Sequence, residues 1–104
     1  MRVSTTDTIA GYAVTESLGT VIGNTIRAKH LGKDISAALR SIVGGEITEY
    51  TGMMAESREQ ALQRMLDRAK ELNADGVVGV RFQTSMIRAG SAELLVYGTA
   101  VKLS

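Results

Sequence analysis

The chain has 104 residues, room for one domain over residues 1–104 and not for two globular halves. Lys plus Arg number 12 and Asp plus Glu 11, so the formal charge of +1 offers no bulk attraction to nucleic acid or a membrane surface. There is no cysteine, which excludes disulfides, thiolate nucleophiles, iron–sulfur clusters and thiolate zinc sites, while 44% hydrophobic and 22% charged residues are the proportions of an ordinary folded protein.

No apolar run approaches the roughly 18 residues of a membrane span, and Met1-Arg2-Val3-Ser4-Thr5-Thr6-Asp7 lacks the basic-then-apolar pattern of a signal peptide, so a cytoplasmic protein is expected. With no proline, glycine supplies the punctuation. Tyr12, Val14, Glu16 and Leu18 alternate with Ala13, Thr15 and Ser17, and β-branched residues continue from Thr20, which predicts a strand over Tyr12–Ile26, bent or bulged at Gly19 and Gly23. Arg27 to Lys33 reads as a polar connection. Asp34 is placed as the N-cap of a short helix over Ile35–Val43, with Ile35, Ala38, Leu39 and Ile42 on one face and Gly44-Gly45 as its end.

From about Glu46 to Leu72, Ile47, Met54 and Ala61 recur every seven residues, as do Arg58, Met65 and Leu72, and Leu62, Leu66 and Ala69 widen the stripe; this predicts one long helix. Gly52, which costs about 1 kcal/mol in a helix interior, and the capping-box pattern of Ser57-Arg58-Glu59-Gln60 mark where it would kink. Asn73 suits the left-handed conformation that stops a helix, and Asp75-Gly76 completes the turn. Alternation returns over Val77–Ile87, with Val78, Val80, Phe82, Thr84 and Met86 on one side. After the short Arg88–Ser91 loop, the last strand, Ala92–Leu103, is apolar on both sides: Leu94, Val96, Gly98 and Ala100 on one, Leu95, Tyr97, Val101 and Leu103 on the other. One helix layer covers one side of a sheet, so the other is expected to meet a further copy of the chain.

Several separated stretches carry a family resemblance: Thr5-Thr6 with Ile9-Ala10-Gly11-Tyr12, Leu18-Gly19-Thr20-Val21-Ile22-Gly23, Ile42-Val43-Gly44-Gly45-Glu46, Ala74-Asp75-Gly76-Val77-Val78-Gly79-Val80-Arg81-Phe82, and Tyr97-Gly98-Thr99-Ala100-Val101. Over nearly its whole length the chain resembles the YbjQ-like family of small bacterial proteins, labelled heavy-metal-binding. The resemblance implies a two-layer, dodecin-like α+β subunit, an antiparallel sheet packed on one long helix plus a short helix, assembled as a homopentameric ring. It implies no established activity. Asn73 departs from the glycine of the family's helix stop, and Gly52 stands where a helix former is expected.

A soft-metal site needs three or four thiolate or imidazole donors, and the chain offers one histidine, His30. His30 sits among Arg27, Lys29 and Lys33, where like charge disfavours a cation; a ring axis could gather copies of His30, or of Glu46 and Glu49. Met53, Met54, Met65 and Met86 read as core or interface filler rather than ligands. The basic stretch lacks the interleaved aromatics of a nucleic-acid surface, and Gly44-Gly45-Glu46 matches no phosphate loop. Glu16 and Glu93 interrupt apolar strand sides, where a carboxylate could transfer protons with Arg81 or Tyr97 orienting an anion.

The expectation is therefore a non-enzymatic homo-oligomeric ring whose inter-subunit cavity holds a small ligand or metal ion, with no catalytic residue assigned and His30 as the metal candidate. The alternative is an enzyme with inter-subunit active sites using Glu16 or Glu93.

Overall fold

The computed structural model describes residues 1–28, 42–43, 46–88 and 91–104. The elements are β1 (Arg2–Val3), β2 (Val14–Ala28), β3 (Ile42–Val43), β4 (Glu46–Ile47), α1 (Thr48–Glu71), β5 (Gly76–Arg88) and β6 (Ser91–Leu103). Four strands form one sheet in the order β1–β5–β6–β2, and β3 pairs with β4 as a separate antiparallel hairpin. β6 is antiparallel to both of its neighbours, but β1 joins β5 in parallel through Arg2 beside Gly76 and Val3 beside Val77. The sheet is therefore mixed, not antiparallel throughout. Two paired residues carry no periodicity, which is why β1 leaves no trace in the hydrophobic pattern.

α1 runs without interruption from Thr48 to Glu71, so neither Gly52 nor Ser57 begins a new helix. Ser57 is instead buried on the inner face of the rod. Asn73 adopts φ 59°, the left-handed stop expected of it. Of the short helix placed at Ile35–Val43, only Ile42 and Val43 lie among the described residues; they are extended and paired with Ile47 and Glu46. The helix therefore does not reach Val43. Adjacent β-branched residues such as Ile42-Val43 favour a strand as readily as a helix end, and the pairing with β4 decides between them.

The core lies between α1 and one face of the sheet. Ala61, Met65 and Ala69 from the helix meet Val21 of β2, Leu94, Val96 and Ala100 of β6, and Val77 and Val80 of β5, all buried. The side of β6 that carries Val96 is thus the covered one. Burying Met65 alone contributes about 1.5–3 kcal/mol of transfer free energy. The alternation expected along β5 changes face at a bulge between Val78 and Arg81, where Gly79 takes φ +64°. Val77 and Val80 consequently share the helix side, and Val78 turns to the other.

Gly23 has a different role from the bend expected there. A β-carbon on it would be built into the backbone carbonyl of Ala61 and the backbone nitrogen of Met65, so α1 rests directly on β2 at this point. The bulge in β2 lies earlier, between Ser17 and Gly19. Gly52, by contrast, is exposed with open space around its missing side chain. Replacing Gly52 by alanine is expected to raise unfolding free energy by up to about 1 kcal/mol in urea denaturation. Gly23→Ala is expected to lower it by more than about 2 kcal/mol, because the helix must lift from the strand.

Candidate functional site

The outer face of the sheet, turned away from α1, gathers the residues with chemical potential. Cross-strand register sets their order. Tyr97 lies between Ile22 and Arg81, Leu95 between Asn24 and Gln83, and Glu93 between Ile26 and Ser85. Asn24 Nδ2 donates to Glu93 Oε2 at 3.2 Å, a partly buried bond that fixes the carboxylate near one end of the face. Ile22 and Ile26 flank it, 45% and 57% exposed. The result is a mixed surface in which Ile22, Ile26, Leu95 and Tyr97 stand among Arg81, Gln83 and Ser85, with one carboxylate held by an amide.

At the opposite end, the amino-terminal segment folds back on β5. Ser4 N–H donates to Val77 O at 2.9 Å, Gly79 N–H to Thr6 O at 2.9 Å and Val80 N–H to Ser4 O at 3.0 Å. Arg81 Nη1 donates to Thr5 O at 2.7 Å and to Val80 O at 2.9 Å, and the Arg2 guanidinium stacks 4.2 Å above the Tyr12 ring. Thr5-Thr6 and the Gly79 bulge are thus two halves of one docking contact. Arg81 is engaged in holding the segment rather than aimed at an anion.

Glu16 and Glu93 do not meet. Glu16 lies beside Lys102 and is exposed, whereas Glu93 lies nine residues away along β6, roughly 30 Å at about 3.3 Å per residue. Tyr97 is on the same face as Glu93 but four residues along the strand, about 13 Å. Among the described residues of one subunit, no closed cleft brings either carboxylate to Arg81 or Tyr97.

His30, with Lys29 and Lys33, lies outside the described residues. Among those described, no group of three or more His, Asp or Glu side chains converges as a metal site. Met65 is wholly buried and Met54 packs on the core, as filler does; Met86 is 77% exposed. A single subunit's described residues therefore do not fit a soft-metal centre, which takes three or four donors within about 2.0–2.3 Å of the ion.

A second, polar feature lies on the outer flank of β2. An open cleft of about 360 Å³ is bounded by Gly23, Asn24, Arg64, Asp67, Arg68 and Glu71, and another of about 260 Å³ adjoins it along Thr20–Ile22. Arg64 Nη1 crosses the first to donate to Asn24 O at 2.7 Å. Sequence reasoning missed this cleft, because its walls join charged helix residues to strand residues some 40 positions away that only the packing of α1 on β2 brings together.

The fold is the two-layer α+β type. Among its structural matches is a protein of unknown function from Pediococcus pentosaceus in the DUF74 family, with a TM-score of 0.73, 18% identity, and coverage of 100% of this chain and 98% of that one. At that identity the likeness concerns the fold alone. A family model described as "putative heavy-metal-binding" matches residues 1–104, and the chain belongs to that family, the YbjQ-like one. It is 59% identical over 103 residues to a UPF0145 protein of Methanosarcina acetivorans, covering 99% of this chain and 97% of the relative. It is 56% identical over 103 residues to one from Thermosipho melanesiensis, covering 99% and 95%, and 59% identical over 101 residues to one from Archaeoglobus fulgidus, covering 97% and 94%. Archaeal relatives make the family wider than the bacterial one expected.

The Arg64 contact is separable from the charges around it. Arg64→Ala is expected to cost about 1 kcal/mol in thermal or urea unfolding, by freeing Asn24 O and loosening α1 from β2. Asp67→Ala, which loses a bond to Gln63 on its own helix, is expected to stay within about 0.5 kcal/mol.

Proposed function

We propose that the protein is a non-enzymatic homo-oligomeric ring, pentameric as the family resemblance implies, in which subunits share a cavity that holds a small ligand or a metal ion. The observation that supports this reading is the outer face of the sheet, on which no described element packs and where Ile22 and Ile26 stand exposed beside half-buried Leu95 and Tyr97. Hiding about 400 Å² of such surface contributes on the order of 10 kcal/mol per subunit before association and ordering costs. The partner is the chain itself, with neither nucleic acid nor membrane involved. A chain without cysteine suits the reducing interior of a cell, and the ring is read as cytoplasmic.

The metal side of the family description is reconciled with this chain by symmetry. Soft cations need several donors, and the described residues of one subunit do not bring them together; an axis multiplies a single donor by the number of subunits. His30 is the sequence's candidate for that position. Native mass spectrometry of untagged protein, with and without zinc, nickel and copper, tests both parts. The expected result is a five-subunit species that takes one ion per ring and loses it in His30→Ala. One ion per chain, retained in His30→Ala, would refute the axial site, and a stable monomer at micromolar concentration would refute the ring.

A further inference from the structure

We propose that the open edge of β2 receives, as an added strand, the open edge of β5 from a second copy of the chain; this rests on the ring reading above and names its seam. In the order β1–β5–β6–β2, the sheet ends in β2 on one side and, beyond Val80, where the amino-terminal segment leaves it, in β5 on the other. Both edges lack a strand partner among the described residues. Arg64 reaches Asn24 O from outside the β6 ladder, so that carbonyl points away from β6. Backbone alternation turns Ile22 and Ile26 the same way. On β5, Val80 N–H donates outward to Ser4 O, so Phe82, Thr84 and Met86 also present their backbone groups to the open side.

Natural edges are blunted by charge, proline or a covering element. The β2 stretch Thr20-Val21-Ile22-Gly23-Asn24-Thr25-Ile26 contains no charge and no proline of its own; Arg64 of α1 caps it at one carbonyl, Asn24 O, a bond that the added strand displaces. The two adjoining clefts run beside it, between the strand edge and the flank of α1. A groove between an edge strand and a helix is where an extended segment adds to a sheet.

The side chains indicate which segment adds. Phe82 pairs across with Val96 and Met86 with Ala92, which places both on the helix side of the sheet. They are nevertheless 47% and 77% exposed, because α1 overlies β2 and β6 and barely reaches β5. Adding β5 of one copy to β2 of the next brings Phe82 and Met86 beneath the neighbour's α1. Gln83 and Ser85 then extend the outer face beside Asn24. Since β2 and β5 both run antiparallel to β6, they are parallel to each other, and the seam is a parallel ladder that joins unlike edges head to tail. Such a contact repeats from copy to copy and gives a ring where its rotation closes, as the ring reading requires.

The test uses two variants that spare the subunit core. Met86→Lys changes an exposed side chain, and Ile22→Pro removes an outward N–H of an edge strand, where proline is tolerated. The expected result by native mass spectrometry is a wild-type ring and two monomeric variants with unchanged far-ultraviolet circular dichroism. Should Ile22→Pro unfold, Met86→Lys decides alone. Variants that remain rings would overturn the seam and leave the ring reading standing; a monomeric wild type would overturn both. Because the chain has no cysteine, Ile22→Cys and Gln83→Cys proteins can be mixed and treated with a short bismaleimide. A mixed covalent dimer is expected, and cross-linking of either variant to itself in place of the mixed species would overturn the proposed pairing.

Discussion

The seating of α1 on Gly23 is the contact from which the rest of the subunit follows. Two backbones can touch at this distance only where one residue has no side chain, and Gly23 is that residue. Hydrogen bonds from Thr25 Oγ1 to Ser57 O, at 3.4 Å, and from Arg64 to Asn24 O fix the crossing on either side. The helix is thereby centred over β2 and β6, and not over the middle of the sheet. Its burial of Met65, Ala61 and Ala69 is achieved at one edge, and the Phe82, Thr84 and Met86 part of β5 is left exposed on the same face.

What could be read from the chain divides along physical lines. The apolar stripe from Met54 through Ala61, Met65 and Ala69 was legible because a helix that buries one face must repeat it every turn. Asn73 was legible because few residues accept a positive φ. The two-sided apolar pattern of β6 was legible, and its central place comes from the strands paired on both its edges, β5 and β2. Gly23 was visible as a glycine in a strand, but whether such a glycine bends its strand or admits a helix depends on what packs against it. Gly79 concealed a change of face along β5, for a bulge adds one residue without altering the local composition. β1 and the β3–β4 hairpin are too short to have a period at all.

The candidate site was less legible than the fold for a different reason. Glu93 was marked by its place on an apolar strand side, and the structure gives it Asn24 as partner, a residue 69 positions away in sequence that only the β2–β6 register brings across. Glu16 was marked by the same rule and proves to be an exposed side chain beside Lys102, because bulges at Val14/Glu16 and Ser17/Gly19 break the alternation that made it look inward-facing. Sites on a sheet face depend on register, and register is set by long-range pairing that no local window contains.

The proposed ring would have to cover more than one kind of surface. The exposed apolar side chains of the sheet are divided between its two edges: Ile22 and Ile26 stand on the outer face at the β2 edge, Phe82 and Met86 on the helix face at the β5 edge. A twofold dimer joined through either edge would use that edge twice and leave the other in water. A closed ring gives every subunit two different neighbours, and is the simplest symmetry that covers both edges of one sheet.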